Sequence, residues 1–171
     1  MTETEPTDHK LTLRSLKKTD YPDIKRIMDL VYSGMGGAWK PEEFDVLIDQ
    51  FPEGQICIED KGKVIAAALA IIVNAEEFEK RRHTYEDVVT GGDMSSHDPE
   101  GDALYGVDIF VDPDYRGLRL GRRLYDARKE LCETLNLKSI IFGGRIPGYG
   151  KYAHELTPAQ YIQKVKATEI Y

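Results

Sequence analysis

The run from Val111 to Tyr125 concentrates residues that suit the binding of an anion. Arg116, Arg119, Arg122 and Arg123 fall within eight positions, interleaved with Gly117 and Gly121. The chain as a whole is acidic, with 23 Lys+Arg against 30 Asp+Glu and a net charge of −7, so this segment reverses the local sign. An apolar run over 103–110 precedes it and reads as a strand, and an amphipathic stretch follows it and reads as a helix. A strand, a bend and a helix start leave the first-turn N–H groups unpaired and pointing at whatever lies beyond the helix end. Glycines there let a ligand approach the main chain closely. The chemistry expected is a cradle for a phosphate or pyrophosphate. A plain strand-to-helix turn with surface arginines is the alternative, and it explains neither the paired glycines nor the reversal of charge.

Val111, Pro113, Tyr115, Arg116, Gly117, Leu120, Gly121 and Leu124 also match a known pattern. The segment resembles the acyl-CoA-binding motif of the GNAT acetyltransferases, close to V-x-P-x-[YF]-R-G-x-G-[LI]-G-x-x-L. Arg119 departs from it, standing where the family often has glycine. The resemblance implies the GNAT fold, a mixed and mostly antiparallel α/β sheet flanked by helices. It also implies an acetyl-CoA-dependent N-acetyltransferase that acts by direct attack of an amine in a ternary complex. The cosubstrate is expected at Ile109, Phe110 and Val111 and at Arg116, Gly117, Leu118, Arg119, Leu120, Gly121 and Arg122.

Acyl transfer from a thioester to an amine needs a grip on the phosphates, a polarised carbonyl, a base for the amine and an acid for the departing thiolate. The resemblance assigns the carbonyl to the strand before the motif, which splays from its parallel neighbour at 139–142 and frees main-chain groups near Ile109 and Val111. Asp108 lies on that strand beside the expected thioester, on the opposite face from Val107, Ile109 and Val111 by simple alternation. A half-buried carboxylate has a raised pKa, which suits a general base. It is equally a carboxylate satisfied by a neighbouring amide or arginine, and water-mediated deprotonation is common in the family. The acid is expected to be a tyrosine after strand 139–142, with Tyr152 ahead of Tyr149. The family's N-x-x-A-x-x-x-Y pattern is absent there.

Three further patterns are weaker. Residues 144–151 suggest a P-loop but lack the glycine required before Gly150-Lys151 and the Ser/Thr after it. His83, His97 and the acidic residues 93–102 read as solvated loop residues, and no metal is expected. Trp39 either lines the acceptor pocket or serves as a core or lid residue.

These residues require a frame. Apolar spacing predicts strands at 10–16, 55–59, 64–73, 103–111 and 139–142. It predicts helices at 21–32, 41–51, 118–136 and 157–168, with short helices at 76–82 and 85–89. Thr19 or Asp20 is expected to cap the first helix. Leu120, Leu124, Leu131 and Leu135 are expected to form the buried stripe of the helix after the motif. Ala66 to Ala70 is apolar on both faces, so its strand should be central. The polar connection 74–102 is expected to cover the acceptor site, its carboxylates attracting an amine. The family adds two strands after the last helix, and these are expected to lie in a continuation beyond Tyr171.

Composition bounds the rest. A chain of 171 residues suits one domain at 10–171 behind a polar tail at 1–9, expected to be disordered at its start. The acidic balance argues against a general nucleic-acid binder. Cys57 and Cys132 are isolated and read as buried free thiols. Residues 1–10 are polar and acidic, and no run reaches the ~18 apolar residues of a membrane span, so a cytoplasmic setting without membrane contact is expected. The segment Gly143 to Tyr149, with Tyr152, Leu156, Thr157, Pro158, Tyr161 and Glu169 to Tyr171, resembles the GNAT part of proteins that fuse this domain to a carbon–nitrogen (nitrilase-like) hydrolase. Expected partners are therefore acyl-CoA, an amine, and a fused hydrolase domain or a second copy. A second reading is a degenerate GNAT module that binds acyl-CoA and regulates an attached hydrolase.

Overall fold

A computed structural model of the chain describes residues 8–34 and 37–170. Its order is β1 (Leu11–Ser15), α1 (Tyr21–Val31), α2 (Pro41–Gln50), β2 (Ile56–Asp60), β3 (Lys63–Val73), α3 (Ala75–Glu79), α4 (Tyr85–Val89), β4 (Ala103–Val111), α5 (Leu120–Thr134), β5 (Ser139–Phe142) and α6 (Pro158–Lys166). The five strands form one sheet in the order β1-β2-β3-β4-β5. All neighbours are antiparallel except β4 and β5, which run parallel. This is the mixed, mostly antiparallel sheet expected from the sequence.

The sheet is built around β3, where Val64 to Val73 are all buried. Its side chains alternate as a strand requires. Ala67, Leu69, Ile71 and Val73 pack with Ile24, Ile27, Met28, Phe44 and Leu47 of α1 and α2. Ala66 and Ala68 face Leu120 and Leu124 of α5. Each fully buried Leu, Ile or Phe in these layers stabilises the fold by roughly 1.5–3 kcal/mol.

Several local expectations are corrected. Asp20 precedes α1, but its carboxylate accepts from Lys17 N–H and pairs with Arg14 instead of capping the helix. Leu13 is exposed because β1 is an edge strand. α5 starts at Leu120, two residues later than predicted, because Gly117 (φ 89°) and Arg119 (φ 57°) are both left-handed and cannot extend a right-handed helix. Its buried stripe is Leu120, Leu124, Arg128 and Cys132. Leu131 is only partly buried, and Leu135, just past the helix end, is 38% exposed. A charged residue therefore occupies the stripe where an all-leucine face was expected.

The tail expected at 1–9 falls mostly outside the described residues. Its last residue is held, with His9 Nδ1 2.7 Å from Asp60 Oδ2 and its ring against Tyr115. Tyr171, the final residue of the hydrolase-fusion resemblance, also lies outside them. Cys57 and Cys132 are buried free thiols, as expected. Burial pushes the Cys57 thiol up to about 12, so it stays protonated and unreactive. Among the described residues no helix is long and apolar enough to cross a membrane.

Candidate active site

The site begins with a failure of pairing. β4 and β5 hydrogen-bond in parallel only over Ala103–Gly106 and Ser139–Phe142. Beyond Gly106, β4 runs on to Val111 while β5 has ended, so the two strands part. The register of β4 against β3 also breaks there: Leu69 faces Asp108 and Ala70 faces Gly106, leaving Val107 without a partner. A bulge of this kind re-aims the side chains after it. Val107 joins the α1/α2 core, while Ile109 and Val111 face α5. Asp108 points to the α1/α2 side, so it shares a face with Val107. This corrects the simple alternation read from the sequence.

The parting strands open a cleft of about 1070 Å³. Its walls include Tyr32, Trp39, Tyr85, Asp108, Arg128 and Phe142, with Glu43 and Glu86 on the α2 and α4 side. The connection 74–102 does border the cleft, through Tyr85, Glu86, Val89, Gly91 and Gly92. Trp39 lines it as well.

Asp108 is the most constrained group there. Tyr32 donates its hydroxyl to Oδ1, Trp39 Nε1–H donates to Oδ2 at 3.2 Å, and the Ile109 N–H donates to Oδ1 at 2.8 Å. Burial raises the Asp108 carboxyl above the usual carboxylate range, and these three donors oppose that shift only in part. Burial also raises the Tyr32 phenol, and the neighbouring Asp108 charge adds to it. The Arg145 guanidinium stacks 5.0 Å above the Tyr32 ring and ties the glycine-rich loop after β5 to α1.

The motif loop lies past the far end of β4. Asp112, 1% exposed, anchors it: its carboxylate accepts from Arg26 Nη1 at 2.7 Å and from Asp114 N–H at 3.1 Å. Burial alone would raise that carboxyl, but Arg26 and the Asp114 amide outweigh it and hold it below its ordinary value. Arg116, Gly117, Leu118, Arg119 and Arg122 are exposed, and a Cβ at Gly117 or Gly121 would meet nothing within 4 Å. No side chain caps the start of α5. Phe110 and Leu120 bury their side chains in the core, so only their main-chain groups can face a ligand.

The structure brings Asp108 and Ile109 together and places 116–122 at the adjoining end of the sheet. It does not bring Tyr149 or Tyr152 to the cleft lining. Both pack against Tyr161 of α6, and the Tyr149 hydroxyl donates to Leu156 O at 2.8 Å. Nor are the loop histidines simply solvated. His83 Nε2 lies 2.8 Å from the Tyr105 hydroxyl, and His97 Nδ1 accepts from Ile72 N–H at 3.1 Å. Among the described residues no group of three or more His, Cys, Asp or Glu could hold a metal ion. Sequence reading missed Tyr32, Tyr85, Arg128 and Arg145. Arg128 alone left a usable trace, its four-residue spacing from Leu124.

The model of the Acetyltransferase (GNAT) family matches residues 24–148, which includes the strand, the bulge and the loop just described. The chain belongs to this family. The Bacillus subtilis (strain 168) protein called Uncharacterized N-acetyltransferase YkwB is 35% identical over 161 residues, covering 91% of this chain and 70% of YkwB. Probable hydrolase YhcX of the same organism is 39% identical over 164 residues, covering 96% of this chain. The chain spans about a third of YhcX, 32% of its length. Among solved structures, the GphF GNAT-like decarboxylase in complex with isobutyryl-CoA superposes with a TM-score of 0.71 at 19% identity, over 89% of this chain and 75% of that one. That likeness establishes a shared fold.

Proposed function

We propose that this GNAT domain is an acyl-CoA-dependent N-acyltransferase for an amine, with acetyl-CoA as the donor that the motif implies. One observation carries the reading: a half-buried, donor-held carboxylate, Asp108, lies where β4 parts from β5, three residues before the end of the strand that leads into the GNAT loop.

The residues fit a coenzyme A ester. The open space over Gly117 and Gly121 admits a diphosphate to the N–H groups at the start of α5, and the exposed Arg116, Arg119 and Arg122 add positive charge. The free edge of β4 offers main-chain groups to the pantetheine arm. Bound acyl-CoA supplies an activated thioester. The Ile109 N–H, which donates to Asp108 Oδ1 at 2.8 Å, is the main-chain donor nearest the thioester carbonyl in this reading. A donor of this kind stabilises the developing oxyanion by about 3 kcal/mol.

Asp108 takes the proton from the attacking amine as the new C–N bond forms. Tyr32, Trp39 and the Ile109 N–H fix its orientation and leave a lone pair of Oδ2 to accept that proton. Glu43 and Glu86 favour an acceptor that arrives as an ammonium ion, which loses one proton to water to become the free amine before it attacks. As the C–S bond breaks, the departing thiolate takes a proton. Tyr152 has the claim to that role by family position, and Tyr125 has it by lining the cleft beside Phe142. Tyr152→Phe and Tyr125→Phe separate the two: the true donor's variant loses kcat with coenzyme affinity unchanged.

The decisive experiment follows free thiol released from acyl-CoA with and without a panel of amines. Amine-dependent release supports the transferase. Tight coenzyme binding with no transfer to any amine favours the second reading, an acyl-CoA-sensing module beside a hydrolase domain. The observation behind that second reading is the likeness to YhcX, a protein about three times longer whose name is that of a hydrolase. The two free, buried thiols support a reducing, cytoplasmic setting.

A further inference from the structure

Arg128 is the largest fully buried side chain among the described residues, 1% exposed, and it forms no ion pair there. It lies on α5 directly beneath the β4 bulge. One guanidinium nitrogen, Nη2, donates to Leu69 O at 2.7 Å and Asp108 O at 2.5 Å. Its Nε is buried without a partner. The remaining nitrogen, Nη1, has no hydrogen-bond acceptor among the described residues. It sits over Gly106 at the point where β4 and β5 part, so that a Cβ on Gly106 would lie 3.0 Å from Nη1 and 3.2 Å from Phe142 Cβ. Arg128 also lines the cleft. Two carbonyls and the Tyr125 ring, 6.0 Å from the guanidinium carbon, are its compensation. They carry partial charges only, the Asp108 carboxylate adds a longer-range attraction without forming an ion pair, and a buried cation without a direct counter-ion is costly. A helix stripe otherwise made of Leu120, Leu124 and Cys132 would accept an apolar residue at this position at lower cost.

The geometry points to an anion that arrives with the ligand. We propose that Arg128 Nη1 receives a free carboxylate on the acyl group, and that the preferred donor is a carboxyacyl-CoA of the malonyl or succinyl type. This rests on the acyl-CoA reading above and narrows its donor. The acyl carboxylate pairs with the guanidinium, while the Gly106 Cα and the Phe142 ring leave an apolar passage for its methylene stem. Glycine at 106 is required because any side chain would fill the space in front of Nη1.

The test is isothermal titration of the wild-type protein with acetyl-CoA, malonyl-CoA, succinyl-CoA and free CoA, repeated on Arg128→Met and Arg128→Lys. The wild type should bind one or both carboxyacyl esters at least tenfold more tightly than acetyl-CoA. Arg128→Met should abolish that preference, and Arg128→Lys should retain part of it. Equal wild-type affinities for the three esters overturn the proposal, whether or not the variants fold. A carboxyacyl preference that survives in folded Arg128→Met also overturns it. Binding of acetyl-CoA without such a preference leaves the acyl-CoA reading standing. If no ester binds, both fall together.

Discussion

The hydroxyl of Tyr32 and the indole N–H of Trp39 decide how Asp108 behaves. Burial raises its carboxyl, and each donor to the charged form pulls it back. The rate should therefore fall on the acid side with a midpoint above the ordinary aspartate range. Tyr32→Phe removes one opposing donor and should move that midpoint to higher pH, while Asp108→Asn should abolish the acid limb and lower kcat by 10²–10⁴-fold. A kcat/KM profile over pH checks both; an unmoved midpoint in Tyr32→Phe would show that the hydroxyl does not tune the base. At Arg119 the arginine adopts φ 57°, a conformation that costs an L-residue about 1 kcal/mol and glycine nothing. Arg119→Gly relieves that strain but adds unfolded-state freedom, so it should raise stability by no more than about 0.5 kcal/mol, read by calorimetry. Gly117, at φ 89° with open space above it, faces the opposite test. Gly117→Trp should cost about 1–3 kcal/mol in backbone strain while the fold survives, and should abolish coenzyme binding in a titration.

At the scale of elements, the sequence was legible where one rule governed. Hydrophobic period located the strands and the longer helices to within a few residues, because most of them bury a regular face in the two cores on either side of β3. The glycine and arginine spacing located the loop because few other arrangements leave a helix start uncapped beside a strand end. Rules that depend on a neighbouring strand were not legible. The bulge at Val107 arises from the register of β4 on β3, and β4 alone carries no mark of it. It reversed the face assigned to Asp108 relative to Val107 and created the need that Arg128 meets. Tyr32 could not be named because its meaning depends on a residue 76 positions away. The loop anchor makes a further test at this scale. Arg26→Met leaves Asp112 buried and unpaired; with Arg26 33% exposed, the cost should be about 2–3 kcal/mol, less than the ~3–5 of a fully buried pair. Asp112 is held below its ordinary value, so the stability it lends is present above that value and lost as pH falls through the lowered one. Urea midpoints measured from pH 6 down to pH 2 should therefore fall less steeply in Arg26→Met than in the wild type.

At the scale of the molecule, two layers of helices press on a single sheet, and its parallel pair opens where β5 ends early. That gap connects both faces of the protein through one opening. In the proposed reaction a donor would enter from the α5 side and an acceptor from the α1/α2 side, meeting at Asp108 without crossing. The chain's one tryptophan stands at this meeting point, its indole N–H on the Asp108 carboxylate. Indole emission responds to nearby charge and to solvent. The protein therefore carries its own optical gauge: its intrinsic fluorescence should shift as the carboxylate gains a proton or either ligand displaces water, with no dye or label attached.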